Sequence, residues 1–248
     1  MKLNDRLDKI AGQINAGETM ADIGTDHGFL PIYLKKTGKC PHVIMTDISR
    51  GSLDKAVRDC EIYEPGEPFD LRIGDGLTVL KPGEVNDVVI AGMGGSLIAD
   101  IMGADPGLSS SFGRFILQPR NNIGKLRASL SRMGFVITKE QLAEEGRFLC
   151  VIITCEYREG SEQGDAMEDF ALRPWEWDFP DSLIRFRGAH TADYLNRQLR
   201  RNRRILTRIH CGAADPVTKA AAERTEHYIE QLEGLLEQLK EMDIHAEG

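Results

Sequence analysis

Two glycines and two carboxylates interleave in Asp22-Ile23-Gly24-Thr25-Asp26-His27-Gly28, a spacing suited to a turn that folds around a small ligand. Asp26 and His27 are the candidate catalytic pair. A carboxylate there can favour a developing positive charge, and an imidazole can accept a proton or stack on a base. Asp47-Ile48, Gly74-Asp75-Gly76 and Ala91-Gly92-Met93-Gly94-Gly95 repeat the mixture of acids and glycines further along. The first turn is not GxGxxG, and an acid inside it would repel a pyrophosphate. These positions suit a ligand with cationic and hydroxyl groups better than a dinucleotide.

The elements that must position these residues alternate. Leu3, Leu7, Ile10, Ala11 and Ile14 share one face of a first helix, and residues 20–24 read as a first strand. Pro31 is tolerable in the first turn of the next helix. Strands follow at 43–47, 71–76, 87–91 and 114–119, with helices at 52–60, 97–102 and 123–134 between them. The run 87–91 is nearly continuous and β-branched, as buried parallel strands are. Strands at 135–142 and 148–155, joined through a Glu144-Glu145-Gly146 turn, close the sheet, the last antiparallel. Such alternation predicts a doubly wound α/β sheet, and in such sheets ligands sit at the carboxyl ends of the strands. Three acids then fall at three successive strand ends. Asp26 would hold the ammonium of a methionine moiety, Asp47 the ribose hydroxyls and Asp75 the adenine amine, a pattern that points to S-adenosylmethionine.

The remaining composition sets limits. The 248 residues carry a formal charge of −8, with 41% hydrophobic and 28% charged residues, the balance of an ordinary soluble protein. No apolar run approaches membrane-spanning length and the N-terminus has no signal-peptide core, so a cytoplasmic protein is expected. The five cysteines are scattered and none forms a CxxC pair, so reduced thiols and no metal site are expected. Residues 1–160 form the expected first domain. A polar, acidic stretch at 158–169 and the proline-bounded aromatic stretch 173–180 lead into the second, 161–248.

That second domain predicts two helices, about 182–211 and 216–243. Leu195, Leu199, Leu206 and Ile209 in one, and Tyr228, Leu232, Leu235, Leu239 and Met242 in the other, keep coiled-coil spacing, so an antiparallel hairpin is expected. The first helix is arginine-rich, with Asp193 as its one acid between Ile184 and Ile209; the second is acidic. Charge pairing across the seam is one explanation. The excess favours another, in which Arg185, Arg197, Arg200, Arg201, Arg204 and Arg208 contact RNA phosphates.

The combination of DxGxDHxxLP at 22–31, AGMGG at 91–95, Leu117-Gln118-Pro119 and the helical hairpin resembles the bacterial tRNA (adenine-22-N1)-methyltransferases over essentially the whole chain. The resemblance implies a Rossmann-like class I methyltransferase domain that uses S-adenosylmethionine, fused to a coiled coil that helps to bind tRNA. It implies a cofactor edge of Asp22, Gly24, Thr25, Asp26, Gly28, Asp47, Ile48, Gly74, Asp75, Gly76, Ala91, Gly92, Met93 and Gly94. Many aminomethyltransferases carry an Asn/Asp-Pro-Pro-aromatic loop after the fourth strand, where this chain has Gly92-Met93-Gly94-Gly95. Their grip on the target amine does not transfer. Two other functions stay open: a methyltransferase for small molecules or proteins, which gives the arginine helix no task, and a non-catalytic nucleotide-binding protein. The oligomeric state is open, with a monomer expected.

Overall fold

The computed structural model describes residues 1–212 and 215–246, in two compact units, Met1–Met167 and Glu168–Gly248. In the first unit the order is α1 (Asp5–Gln13), β1 (Met20–Ile23), α2 (Phe29–Lys36), β2 (Val43–Asp47), α3 (Arg50–Tyr63), β3 (Asp70–Ile73), a 3-10 turn at Gly76–Val79, β4 (Asp87–Met93), α4 (Gly95–Gly103), α5 (Pro106–Ser110), β5 (Arg114–Pro119), α6 (Ile123–Arg132), β6 (Phe135–Glu145) and β7 (Phe148–Tyr157).

One seven-stranded sheet runs β3-β2-β1-β4-β5-β7-β6, the first five strands parallel and β7 antiparallel to both its neighbours. The chain leaves β1 to one side for β2 and returns on the other side with β4. The crevice between β1 and β4 is therefore a topological switch point, and the carboxyl ends of five strands meet on that edge. β1 is buried throughout, as are Val88–Ile90 and Phe115–Leu117, so these strands are anchored on both faces. Asn4 caps α1 by accepting the Leu7 N–H at 2.9 Å, and Ile10, Ala11 and Ile14 bury one stripe of the helix against Ala143 and Ile152.

That packing changes the closing hairpin. Residues 144 and 145, read from sequence as a turn, continue β6 and pair with Leu149 and Phe148, leaving Gly146-Arg147 as the turn. The cause is tertiary: Asp5 of α1 accepts the Glu144 N–H at 2.6 Å, Lys9 donates to Leu142 O at 2.9 Å, and Arg6 meets Glu145 at 2.9 Å.

The second unit includes most of α7 (Ala166–Leu172), then α8 (Pro174–Asp178), α9 (Ser182–Arg185), α10 (Thr191–His210) and α11 (Pro216–Ala246). The stretches 158–169 and 173–180, read as linker and connector, thus contribute two short helices. The single helix expected at 182–211 is also broken. Gly188, a poor helix former, donates its N–H to the Thr191 hydroxyl at 2.9 Å, and a new helix starts there. α10 and α11 form the hairpin, their connection at 213–214 lying outside the described residues. Leu195, Leu199, Leu232, Leu235 and Leu239 are buried in the seam, whereas Met242 is exposed. Around α11, Tyr228 donates to Asp178 at 2.6 Å and Gln231 to Phe179 O at 2.8 Å, so the aromatic stretch wraps this helix.

Candidate functional site

The first turn is built from backbone that only certain residues adopt. Gly24 has φ +76° and Gly28 φ +68°, and Asp26 itself sits in the left-handed region at φ +48°. The N–H groups of Gly24 and Thr25 both donate to Thr46 O, at 2.8 and 2.9 Å, tying the turn to β2. The Thr25 hydroxyl donates to buried Asp22 at 2.7 Å. Burial pushes the Asp22 carboxyl up to about 6, against the opposing pull of Thr25 and Arg6. Arg6 reaches from α1 to Gln118 Oε1 at 3.2 Å, so the ends of β1, β5 and β6 converge on one guanidinium.

Asp26 and His27 are each held by α3. The Asp26 carboxylate pairs with Lys55 Nζ at 2.7 Å, and His27 Nδ1 lies 2.7 Å from Asp59. The imidazole also stacks on Phe29, with centroids 5.0 Å apart. Lys55 and Asp59 were not anticipated. Their i, i+4 spacing on the helix after an acid-ended strand was the available signal.

Asp47 ends β2 and accepts the Ser49 N–H at 2.8 Å, while its carbonyl accepts the Gly74 N–H at 3.1 Å. Ile48 and Ile73 beside it are 71% and 51% exposed, apolar surface that a flat ring could cover. Asp75 opens the 3-10 turn. Its loop is clasped by Arg72, which binds Asp70 and Glu84 and donates to Val79 O at 2.9 Å; the guanidinium holds Glu84 down at about 2.

At the end of β4 the ladder shifts register between Ala91 and Met93, with Gly92 at φ +80°. The loop is laced to the one after β5: Arg120 N–H donates to Met93 O at 2.8 Å and Gly95 N–H to Asn121 O at 3.0 Å. A Cβ on Gly95 would lie 2.6 Å from Asn122 O, so only glycine fits. The Met93 side chain lies against Gly24, joining the two turns that flank the switch point.

The sheet thus gathers Asp22 to Gly28, Asp47, Ile48, Gly74 to Gly76 and Ala91 to Gly94 onto one edge, rich in carboxylates and left-handed backbone. In the second unit, Arg197 pairs with Asp193 at 2.6 Å, Arg203 with Glu233 at 2.6 Å, and Arg185 lies over Phe186. Arg200, Arg201, Arg204 and Arg208 are exposed and form no ion pair among the described residues. No group of three or more His, Cys, Asp or Glu that could hold a metal occurs among the described residues, and no described helix is long and apolar enough to cross a membrane.

The family profile described as "Methyltransferase domain" matches residues 3–153. A tRNA (adenine(22)-N(1))-methyltransferase of Bacillus subtilis is 37% identical over 145 residues, 58% of this chain and 61% of that relative, so the alignment spans under two thirds of the relative's length. The crystal structure of the B. subtilis M1A22 tRNA methyltransferase TrmK superposes with a TM-score of 0.79 at 28% identity, covering 95% of this chain and 99% of that one. M. capricolum TrmK, solved with S-adenosyl-homocysteine, shares the fold at a TM-score of 0.71 and 20% identity, over 96% and 99% of the two chains.

Proposed function

The chain belongs to the methyltransferase-domain family, and from that premise we propose that it transfers a methyl group from S-adenosylmethionine to N1 of adenine 22 in tRNA. The observation that carries this reading is the edge at the β1–β4 switch point, where acids and left-handed glycines take the place of a pyrophosphate-binding loop. The similarity to the B. subtilis tRNA methyltransferase supports the choice of substrate.

The residues fit the cofactor chemically. Asp26, with Asp22, Thr25 and the backbone at Gly24 and Gly28, would serve the aminoacyl end, where carboxylates suit an ammonium. Asp47 would hold the ribose hydroxyls, with Ile48 against the adenine ring. Asp75, flanked by Gly74 and Gly76, would accept from the adenine amine. Ala91 to Gly94 would line the remaining wall, where glycine lets backbone approach a flat base. When bound, S-adenosylmethionine supplies an electrophilic methyl on its sulfonium.

Adenine N1 carries an in-plane lone pair, so the chain's own work is alignment and exclusion of water. The base must first leave its stack in the folded RNA. The product ring is cationic until it loses a proton, and the exposed Asp26 carboxylate would favour it, with His27 as hydrogen-bond acceptor or stacking surface. Asp26 already pairs with Lys55; the cation limits how much of its charge reaches a ligand and keeps it in place. Arg185, Arg197, Arg200, Arg201, Arg204 and Arg208 would contact tRNA phosphates, and all but Arg197 are exposed with no ion pair among the described residues.

The test is transfer of labelled methyl to unmodified tRNA transcripts. Label is expected in 1-methyladenosine and is expected to vanish when adenine 22 is replaced by guanine. Label on small amines with none on tRNA would defeat the proposal.

A further inference from the structure

Two neighbours fix the ring of His27. Its Nδ1 lies 2.7 Å from Asp59 Oδ2, and it stacks on Phe29 with planes 14° from parallel. Asp59 stands one helical turn after Lys55 on α3, and residues four apart share a helix face. One face of α3 therefore offers a cation to Asp26 and a carboxylate to His27, consecutive residues of the turn. Nothing in the role of Asp26 requires the second of these contacts.

The chemistry of that contact is constrained. A carboxylate accepts hydrogen bonds and has no proton to give, so the short contact requires a proton on Nδ1. Neutral imidazole carries one such proton, which leaves the lone pair on Nε2. The carboxylate oxygen near Nε2, Asp26 Oδ2, is 4.0 Å away, beyond hydrogen-bond reach, and the His27 side chain is 44% exposed. In the neutral ring Nε2 is thus the acceptor, with no hydrogen-bond partner among the described residues.

We propose that Asp59 is a positioning residue that locks His27 as the Nδ1–H tautomer, so that Nε2 accepts from the exocyclic amine of the adenine being methylated. The role rests on the methyl-transfer reading above. Accepting from that amine draws electron density toward N1, and no proton changes hands. It also discriminates: a guanine, with an oxygen in place of the amine, would set an acceptor against Nε2.

The experiment reads the tautomer directly. In histidine-labelled protein at alkaline pH, two-bond proton–nitrogen correlation spectra, assigned with His27→Gln, are expected to show Nδ1 protonated and Nε2 bare. Asp59→Ala should release the ring toward the Nε2–H form, and Asp59→Glu should keep the native pattern. In turnover, Asp59→Ala should lower kcat about tenfold, the worth of one hydrogen bond, with KM for S-adenosylmethionine unmoved, and Asp59→Glu should recover part of the loss. A merely structural contact would alter thermal stability without that split. An Nε2-protonated His27 in the native chain, or native kcat in Asp59→Ala, would overturn the inference. A native chain unable to methylate any tRNA would instead overturn the function and the adenine role of Nε2, while the spectra would still decide the hold of Asp59 on the ring.

Discussion

Asp22 is a carboxylate that the folded chain would hold more easily as an amide. Burial lifts it from its ordinary 3.8 to about 6, so between those values the folded state binds protons that the unfolded chain has released. Its contribution to stability is therefore favourable at low pH and is lost as pH rises through 6, leaving a cost of up to about 3 kcal/mol at neutral pH. Asp22→Asn keeps an oxygen to accept the Thr25 hydroxyl and removes the charge. The variant is expected to be more stable than the native chain at pH 7.5, by a margin that shrinks toward nothing near pH 4, while binding S-adenosylmethionine at least about tenfold more weakly. Urea unfolding at several pH values, with calorimetry for the cofactor, measures both. A margin independent of pH would show that desolvated charge is not the cause. Such a result would show the usual tension at a ligand site, where a group placed for a ligand lowers stability without it.

The turns on the ligand edge depend on lacing between elements as much as on their own residues. Gly95 shows this most sharply: its added Cβ would meet backbone oxygens of both Asn121 and Asn122, at 2.7 and 2.6 Å. Gly95→Ala must push the loops after β4 and β5 apart, and is expected to cost about 1–3 kcal/mol, as overpacking does. Gly12→Ala is the contrasting control, because that α1 position has open space around it; a gain of about 0.5–1 kcal/mol is expected there. Equal effects of the two substitutions on thermal unfolding would contradict the lacing. The sequence made the glycines themselves legible, and with them the strand ends, since a β-branched run into glycine is a local signal. What Gly95 packs against was not legible, because Asn121 and Asn122 belong to the next strand's loop. The same holds elsewhere. β6 outran its predicted end because α1, more than a hundred residues away in sequence, supplies partners for Glu144 and Glu145. The helix break at Gly188 was missed because heptad spacing marks which residues share a seam and is silent about where a helix starts. Lys55 and Asp59 sat within a predicted helix, but only the folded turn brings them to Asp26 and His27.

Over the whole molecule the charge is divided sharply, and net charge conceals it. A chain with a formal charge of −8 carries Arg200, Arg201, Arg204 and Arg208 exposed on one helix with no ion pair among the described residues. Ion pairing accounts for part of the arginine excess, since Arg203 reaches Glu233 of the acidic helix and Arg197 is held by Asp193 within its own. Exposed pairs of this kind contribute roughly 0–1 kcal/mol, too little to explain so many like charges by stability alone. Repulsion among the arginines is a standing cost that an anionic partner would relieve. If they meet RNA phosphates, each contact releases a counterion, and the logarithm of affinity falls with the logarithm of salt by about 0.7–0.9 per contact. Reversing Arg200, Arg201 and Arg204 to Glu should therefore weaken tRNA binding by at least about tenfold at moderate salt and flatten the salt dependence by about 2–3. Cofactor affinity should stay unchanged, because the edge proposed to hold the cofactor lies in the first unit. Filter binding across a salt series separates the alternatives: an unchanged slope would return the arginines to seam pairing, whereas a flattened slope with intact cofactor binding assigns them to the RNA backbone.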